Sequence, residues 1–227
     1  MKHPLDNPIY HGLATGNSHL AHGDVLAKYF PENISPLMGL RDNTVADFEN
    51  LAGNVPGNRV FILFTPEEIE IPSPWKMLKQ LGIQVMVYDR SQPPAGDESE
   101  IVDLLPEHVP AMLALTKLTD PGPFLSETIR LGNYRGIFDG NRLVSMAGQR
   151  LQPMPYTEIS AVCTHPDYTG LGYATKLIAD QLERILKKGT IPFLHVRRDN
   201  QQAIHVYEKL GFATSRKLEC YVIKKKQ

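Results

Sequence analysis

The stretch that decides the predicted fold is residues 157–178, with the sequence TEISAVCTHPDYTGLGYATKLI. Its first part, Thr157–Thr164, has the character of a strand, and a glycine-containing turn follows it. The helix predicted next, from about 173 to 188, carries its apolar residues on one face. Because Ile191–Val196 is again strand-like, the order strand, helix, strand forms a crossover unit. We therefore expect these two strands to be parallel.

The neighbouring segments extend this unit on both sides. Tyr134–Phe138 and Leu143–Gly148 flank Asp139-Gly140-Asn141, whose residues accept positive φ, and this pattern predicts a hairpin. A helix is predicted over Gln201–Leu210, ending at a glycine. Final strands are predicted between Phe212 and Ile223.

A linker is predicted at Ser91–Glu100, which holds two prolines, a glycine and three acidic residues without hydrophobic periodicity. We therefore expect an N-terminal α/β region over residues 1–95 and a second domain over residues 96–227. Early in the second domain, Glu107–Lys117 is typical of a mostly apolar helix, and the breaker-rich loop Thr119–Pro123 follows it.

The N-terminal region has fewer signals. Val60–Phe64 and Ile83–Tyr88 are typical of short buried strands. Between them, Trp75, Leu78 and Leu81 have helical spacing, which predicts a helix there.

The composition excludes several classes of protein. The 227 residues include 24 basic and 25 acidic side chains, so the formal net charge is -1. This balance gives no overall attraction to a nucleic acid or an anionic membrane. The longest apolar run, Val60–Phe64, is far shorter than the roughly 20 residues that span a bilayer, and the first residues lack a signal peptide's apolar region. We expect a soluble, cytoplasmic protein with Cys163 and Cys220 as reduced thiols. The scattered histidines have no metal-ligand spacing, so no metal site is expected.

The turn before the long helix carries the clearest chemical signal. In Thr169-Gly170-Leu171-Gly172-Tyr173-Ala174, two glycines let a ligand approach the backbone. The unpaired N–H groups and the dipole of the helix start attract an anion. The pattern predicts a phosphate-binding turn, and the alternative is that the glycines only shape a tight turn between strand and helix.

This run resembles the acyl-CoA signature of the GNAT acetyltransferase superfamily, Gln/Arg-x-x-Gly-x-Gly/Ala. Thr169, Gly172 and Ala174 take the first, fourth and sixth places, and Thr169 departs from the pattern. The stretch Asn200–Phe212 resembles the superfamily's later motif, Asn-x-x-Ala-x-x-x-Tyr-x-x-x-Gly-Phe. The resemblance is clear over 157–212. Before the linker, the chain is similar to GNAT proteins whose N-terminal half is a degenerate copy of the fold.

The resemblance implies an α/β fold with a mixed central sheet, a splayed pair of parallel strands and helices on both faces. It implies an N-acetyltransferase that moves acetyl from acetyl-CoA to an amine of a small molecule or peptide by direct attack in a ternary complex. In this picture the CoA pyrophosphate rests on the N–H groups of the glycine turn, and pantetheine pairs against the strand before it. The residues implied to bind CoA are Val162, Cys163, Thr164, Thr169, Gly170, Leu171, Gly172, Tyr173, Ala174, Thr175 and Asn200.

Two catalytic residues are also implied. Glu158, eleven residues before Thr169, is the candidate base, and alternation places it on the face of Ser160 and Val162. Its alternative role is a surface carboxylate on a strand. Tyr207, in the motif's tyrosine place, is the candidate acid for the CoA sulfur, and its alternative role is a buried aromatic that packs its helix on the sheet.

Other features leave alternatives open. Without the usual Arg at position 169, Lys176 in the first helical turn is a candidate substitute phosphate contact, and its alternative role is a solvated surface lysine. A non-catalytic CoA-binding module is a second interpretation of the turn. An NADP-dependent oxidoreductase is a weaker one, because Gly170-x-Gly172 opens a helix and Arg197-Arg198 ends the next strand. His165, His195 and His205 are expected to be structural or exposed. The acceptor and the oligomeric state, with a homodimer among the alternatives, stay open.

Overall fold

The computed structural model describes residues 3–94 and 100–226. The helices are α1 (Pro8–Ala14), α2 (Val45–Asn54), α3 (Val109–Thr119), α4 (Tyr173–Lys187) and α5 (Gln201–Leu210). The strands are β1 (His22–Gly23), β2 (Ala27–Tyr29), β3 (Met38–Leu40), β4 (Val60–Thr65), β5 (Trp75–Tyr88), β6 (Ile101–Asp103), β7 (Arg135–Asp139), β8 (Arg142–Gln149), β9 (Tyr156–Thr164), β10 (Ile191–Arg197) and β11 (Phe212–Lys225).

Most of these strands form one large mixed sheet. Within the described residues it has eight strands in the order β4-β11-β5-β10-β9-β8-β7-β6, and β1, β2 and β3 form a small separate sheet. In the large sheet β9 and β10 run parallel, whereas its other neighbouring strands are antiparallel. The predicted α/β fold class, the hairpin of β7 and β8, and the parallel crossover through α4 are confirmed.

The helix predicted from the spacing of Trp75, Leu78 and Leu81 is wrong, because these residues belong to the long strand β5. This strand pairs with β11 along its whole length, from Tyr88 opposite Phe212 to Trp75 opposite Lys225. Trp75 is buried under α2, but Leu78 is 47% exposed, so the apolar spacing does not mark one buried face. The final segment is likewise one strand, β11, and not several.

The linker prediction falls partly outside the described residues, which omit 95–99. The sheet itself is not divided there, since β4 and β5 from the N-terminal region pair with β10 and β11 from the C-terminal region. The predicted division near residue 95 therefore does not correspond to a division of the sheet.

Helices and the N-terminal segment cover the sheet on both faces. On one face, α4 packs on β8, β9 and β10 and α5 packs on β11, and both helices contribute to a cluster that includes Ile178, Leu182, Leu194 and Ile204. On the opposite face, residues of α1 and the segment up to Leu37 pack on β4, β5 and β10, and α3 packs on β8 and β9. This layering leaves the gap between β9 and β10 as the place where a ligand can approach the centre of the sheet.

Candidate active site

The two parallel strands separate after a short paired segment. Ile191, Pro192 and Phe193 of β10 pair with residues 156–158 of β9, and the last of these pairs joins Phe193 to Glu158. Beyond it, β10 stays paired with β5 as far as Arg197. Residues 159–164 of β9 have no described strand on the side of β10. We call this opening the fork, and its free strand edge offers backbone groups to a ligand.

A β-bulge lies in β9 at the fork. Ala161 has a φ of 52°, and residues 161 and 162 together lie opposite the single residue 147 of β8. An extra residue reverses the alternation of side chains along a strand. Val162 therefore packs in the same cluster under α4 as Ile159 does. The expectation that Val162 shares the face of Glu158 is wrong for this reason.

The glycine turn has the backbone geometry that only glycine adopts readily. Gly170 and Gly172 have φ values of 81° and 82°, and a Cβ built on either would meet no protein atom within 4 Å. Gly172 is the N-cap of α4, and no side chain caps the N–H groups of the first turn. These donors and the positive end of a 15-residue helix therefore face open space, as an anion site requires.

A cavity of about 540 Å³ joins the fork to this turn and to α5. Of the residues that the sequence implied for CoA, Leu171 does not line it and is 57% exposed. The cavity is lined by the other ten together with the candidate acid, namely Val162, Cys163, Thr164, Thr169, Gly170, Gly172, Tyr173, Ala174, Thr175, Asn200 and Tyr207. Residues from three separate elements thus meet around one opening.

Two lining residues of α5 also have structural contacts. Asn200 caps the helix, because its side-chain oxygen accepts a hydrogen bond from the N–H of Ala203 at 3.1 Å. The ring of Tyr207 packs edge-on against Phe212, with the centroids 6.0 Å apart. Burial raises the pKa of Tyr207 to about 12, so its phenol keeps its proton at neutral pH. Each of these two residues therefore has a structural role and also lines the cavity.

Glu158 lies in a buried ionic cluster at the fork. Arg150 donates to both of its carboxylate oxygens, at 2.6 and 3.0 Å, and the N–H of Leu151 donates to one of them at 3.2 Å. The Nδ1 atom of His195 lies 2.7 Å from Oε1. Burial alone would raise the pKa of Glu158, but Arg150 and His195 outweigh burial and lower it to about 2. The carboxylate is therefore ionised and already fully engaged.

Comparison with known proteins places the chain in a family. A GNAT-family chain from Novosphingobium aromaticivorans DSM 12444, known from its crystal structure, is 31% identical, and the match covers 100% of both chains with a TM-score of 0.92. The chain belongs to the GNAT family. The sequence model of FR47-like proteins matches residues 134–222.

The chain is also similar to a second acetyltransferase by sequence and to a third by fold. The N-alpha-acetyltransferase RimI of Mycobacterium tuberculosis is 32% identical over 84 residues, which are 35% of this chain and 51% of that protein. The match therefore spans about half the length of RimI. A GCN5-related N-acetyltransferase from Kribbella flavida shares the fold, with a TM-score of 0.61, 11% identity and coverage of 96% and 94% of the two chains.

The structure bears on two alternatives from the sequence, the oxidoreductase and the phosphate contact of Lys176. A dinucleotide-binding fold needs consecutive parallel strands, whereas this sheet is parallel at the fork and antiparallel elsewhere in the described residues, so the oxidoreductase reading is wrong. Lys176, the substitute for the missing Arg, donates to Glu100 at 3.1 Å. Thr169 donates its hydroxyl proton to the carbonyl of Pro166 at 2.9 Å. A phosphate would therefore rely mainly on the backbone of the turn.

Sequence reasoning missed the two partners of Glu158 in this GNAT site. Arg150 lies before β9 in a segment without a motif, and His195 was expected to be structural or exposed. The sequence signal that could have indicated these partners was the predicted parallel pairing of β9 and β10, because residues on one face of neighbouring strands contact each other. The register that decides which residues meet is set by the structure and cannot be read from the motif.

Two kinds of feature are absent from the described residues. No group of three or more His, Cys, Asp or Glu residues there is arranged to hold a metal ion. No helix in residues 3–94 and 100–226 is long and apolar enough to cross a membrane.

Proposed function

We propose that this protein is an N-acetyltransferase that moves the acetyl group of acetyl-CoA to an amine. The observation that carries the proposal is the fork, whose free β9 edge opens onto a cavity that ends at the uncapped glycine turn. Membership of the GNAT family supports the same reaction. We further propose that it acts in the cytoplasm, as the sequence predicts.

The cavity fits the parts of acetyl-CoA in order. The N–H groups of residues 173–175 and the dipole of α4 suit the pyrophosphate, because both favour a negative charge. The free edge of β9 offers N–H and C=O groups to the amides of pantetheine, in the manner of an added strand. Near the bulge, the N–H of Val162 or Cys163 is positioned to stabilise the negative charge that develops on the acetyl oxygen.

The reaction itself needs a base and an acid. The amine nitrogen loses a proton as it bonds to the acetyl carbon, and the carbon–sulfur bond breaks. The departing sulfur takes a proton, and Tyr207 is the proposed donor, since it lines the cavity and its phenol is protonated at neutral pH. Cys163 is not suited to covalent catalysis, because burial raises the pKa of its thiol to about 11. We therefore propose direct attack in a ternary complex.

The acceptor pocket is proposed to include the loop Thr119–Thr128, on the side of the sheet opposite α4. The N-terminal segment holds this loop, because the Thr128 hydroxyl donates to the carbonyl of Ile34 at 2.6 Å and the N–H of Glu127 donates to that of Asn33 at 3.0 Å. The similarity to RimI, an N-alpha-acetyltransferase by name, makes the α-amino group of a peptide the first acceptor to test.

A pooled screen tests the proposal. Peptides with free α-amino groups, polyamines, amino sugars and aminoacyl compounds are incubated with acetyl-CoA and the full chain, and acetylated products are found by mass spectrometry. We expect acetyl transfer to at least one amine class. If CoA binds in calorimetry but no amine is acetylated, the non-catalytic CoA-binding module is the better description.

A further inference from the structure

We propose that His195 is the general base of the reaction and that Glu158 is its positioning residue. The proposal rests on the acetyl transfer proposed above, and it changes the role that the sequence implied for Glu158. It stands on three observations: the saturated carboxylate, the free imidazole nitrogen and the place of His195 at the fork.

The first observation is that Glu158 has no oxygen left for a substrate. Its side chain is 1% exposed, and its two oxygens accept from Arg150, from His195 and from the N–H of Leu151. A general base needs a lone pair within reach of the proton that it takes. Glu158 meets this requirement poorly, whereas it is well placed to hold another group.

The second observation is the free nitrogen of His195. Glu158 is an acceptor, so the imidazole donates its Nδ1 proton to the carboxylate, and the neutral ring then carries a lone pair on Nε2. Within the described part of the chain, Nε2 is buried and has no hydrogen-bond partner. The side chain is 5% exposed, and the rings of Phe64 and Phe193 pack against it at 4.8 and 5.4 Å. A buried nitrogen is costly to leave unpaired, which indicates a proton or a ligand to be received there.

The third observation is position. His195 lies two residues after Phe193, the last residue of β10 that pairs with β9, so its backbone stands where the fork opens. Its side chain does not line the cavity, and it packs against Phe64 and Phe193 on the face that the N-terminal segment covers. The thioester proposed along the β9 edge and an amine from the face of the acceptor loop would meet at this opening. As the nitrogen–carbon bond forms, Nε2 takes the proton that the amine loses, and the Glu158 carboxylate stabilises the resulting imidazolium.

The other groups of the cluster keep fixed charges at neutral pH. Arg150 keeps Glu158 ionised from the segment before β9. Tyr134, just before β7, and Cys220 of β11 lie near the cluster, and burial raises the pKa of each, that of Cys220 to about 11. Both stay neutral at neutral pH, so they add no charge beside the imidazole.

The first test uses the wild-type protein without any substrate. Long-range ¹⁵N–¹H spectra of the histidine rings report which nitrogen carries the proton, and the His195→Gln variant assigns the signals. We expect the Nδ1–H tautomer, with an unprotonated Nε2 that gains a proton as the pH falls. A neutral ring with its proton on Nε2 would overturn the proposal, whatever the activity of the enzyme.

The second test is kinetic, with an amine that the screen has identified. We expect His195→Gln to lower kcat by roughly 10²–10⁴-fold, while CoA affinity in calorimetry stays near the wild-type value. His205→Gln is the matched control, because His205 is an exposed histidine of α5 that does not line the cavity. If both variants turn over like the wild type, His195 is not the base although the proposed function stands. If the wild type acetylates no amine, the proposed function fails instead.

Glu158→Gln tests the positioning role. Without the carboxylate the imidazolium loses its stabilising partner, so we expect the acid limb of the kcat/KM profile to move to lower pH. An unmoved acid limb in a folded variant would contradict the role. Should the variant not fold, the tautomer measurement on the wild-type protein still decides the proposal.

Discussion

Replacing Gly172 with valine tests the glycine turn directly. The φ of 82° at this residue costs an L-residue roughly 1–2 kcal/mol, and a β-branched side chain is among the least tolerant of this region. No protein atom lies within 4 Å of the added Cβ, so we expect the variant to fold with about this loss of stability. The new methyl groups would enter the cavity beside the first N–H groups of α4.

The expected effect on binding follows from this geometry. A pyrophosphate held off the turn loses charge-assisted hydrogen bonds to the backbone, and each of these contributes about 1.5–3 kcal/mol. We expect CoA affinity to fall by roughly 10- to 100-fold, which corresponds to about 1.4–2.8 kcal/mol. Isothermal titration calorimetry with CoA measures this directly, and thermal unfolding measures the loss of stability.

Gly189→Val is the matched control. Gly189 follows the other end of α4 with a φ of 73°, and its Cβ would also meet no protein atom within 4 Å. It does not line the cavity, so the substitution has the same backbone cost without the steric effect on a ligand. Equal CoA affinity in the two folded variants would show that the glycine turn does not hold the pyrophosphate.

Two further predictions concern the acid and the buried carboxylate. Tyr207→Phe should leave CoA affinity nearly unchanged and lower turnover by roughly 10²–10⁴-fold. High pH should not restore turnover, because fewer protons are then available for the thiolate. Turnover equal to the wild type across a pH series would show that Tyr207 has only a packing role. The pKa of Glu158 falls from 4.5 to about 2 on folding, so the stability that it adds is complete above pH 4.5 and is lost as the pH falls through about 2. That contribution is about 3 kcal/mol, and thermal unfolding from neutral to acid pH should show it in the wild type but not in Glu158→Gln.

The sequence predicted the elements around the glycine turn well, because local signals define them. The periodic apolar residues of α4, the turn residues between β7 and β8, and Asn200 and Gly211 at the ends of α5 each act within a few residues of the chain. Residues around the cavity could also be named, because the resemblance to the two GNAT motifs implied them, including Asn200 and Tyr207 from the later motif.

Features that depend on pairing between distant segments were not predictable in this way. Trp75 and Leu78 lie in a strand because β11 runs beside this part of β5, and nothing local in their spacing shows this. The bulge at Ala161 arises from the match between β8 and β9, and it reverses the side chains after it. Glu158 and His195 meet because of the parallel register, which no single segment encodes.

The place of β5 in the sheet has a consequence for how the protein is made. Its neighbours, β10 and β11, begin at Ile191 and Phe212, so a ribosome releases β5 long before either partner strand exists. Until then both edges of a 14-residue strand, with Met77 and Leu78 on it, lack their native partners, and such a strand is a template for aggregation. The fork, in turn, gains its far wall only when β10 has docked beside β5. The large sheet is thus completed only when β10 and β11 insert on either side of β5. A nascent chain that stalls after α4 would hold the glycine turn but not β10, the strand on the other side of the fork.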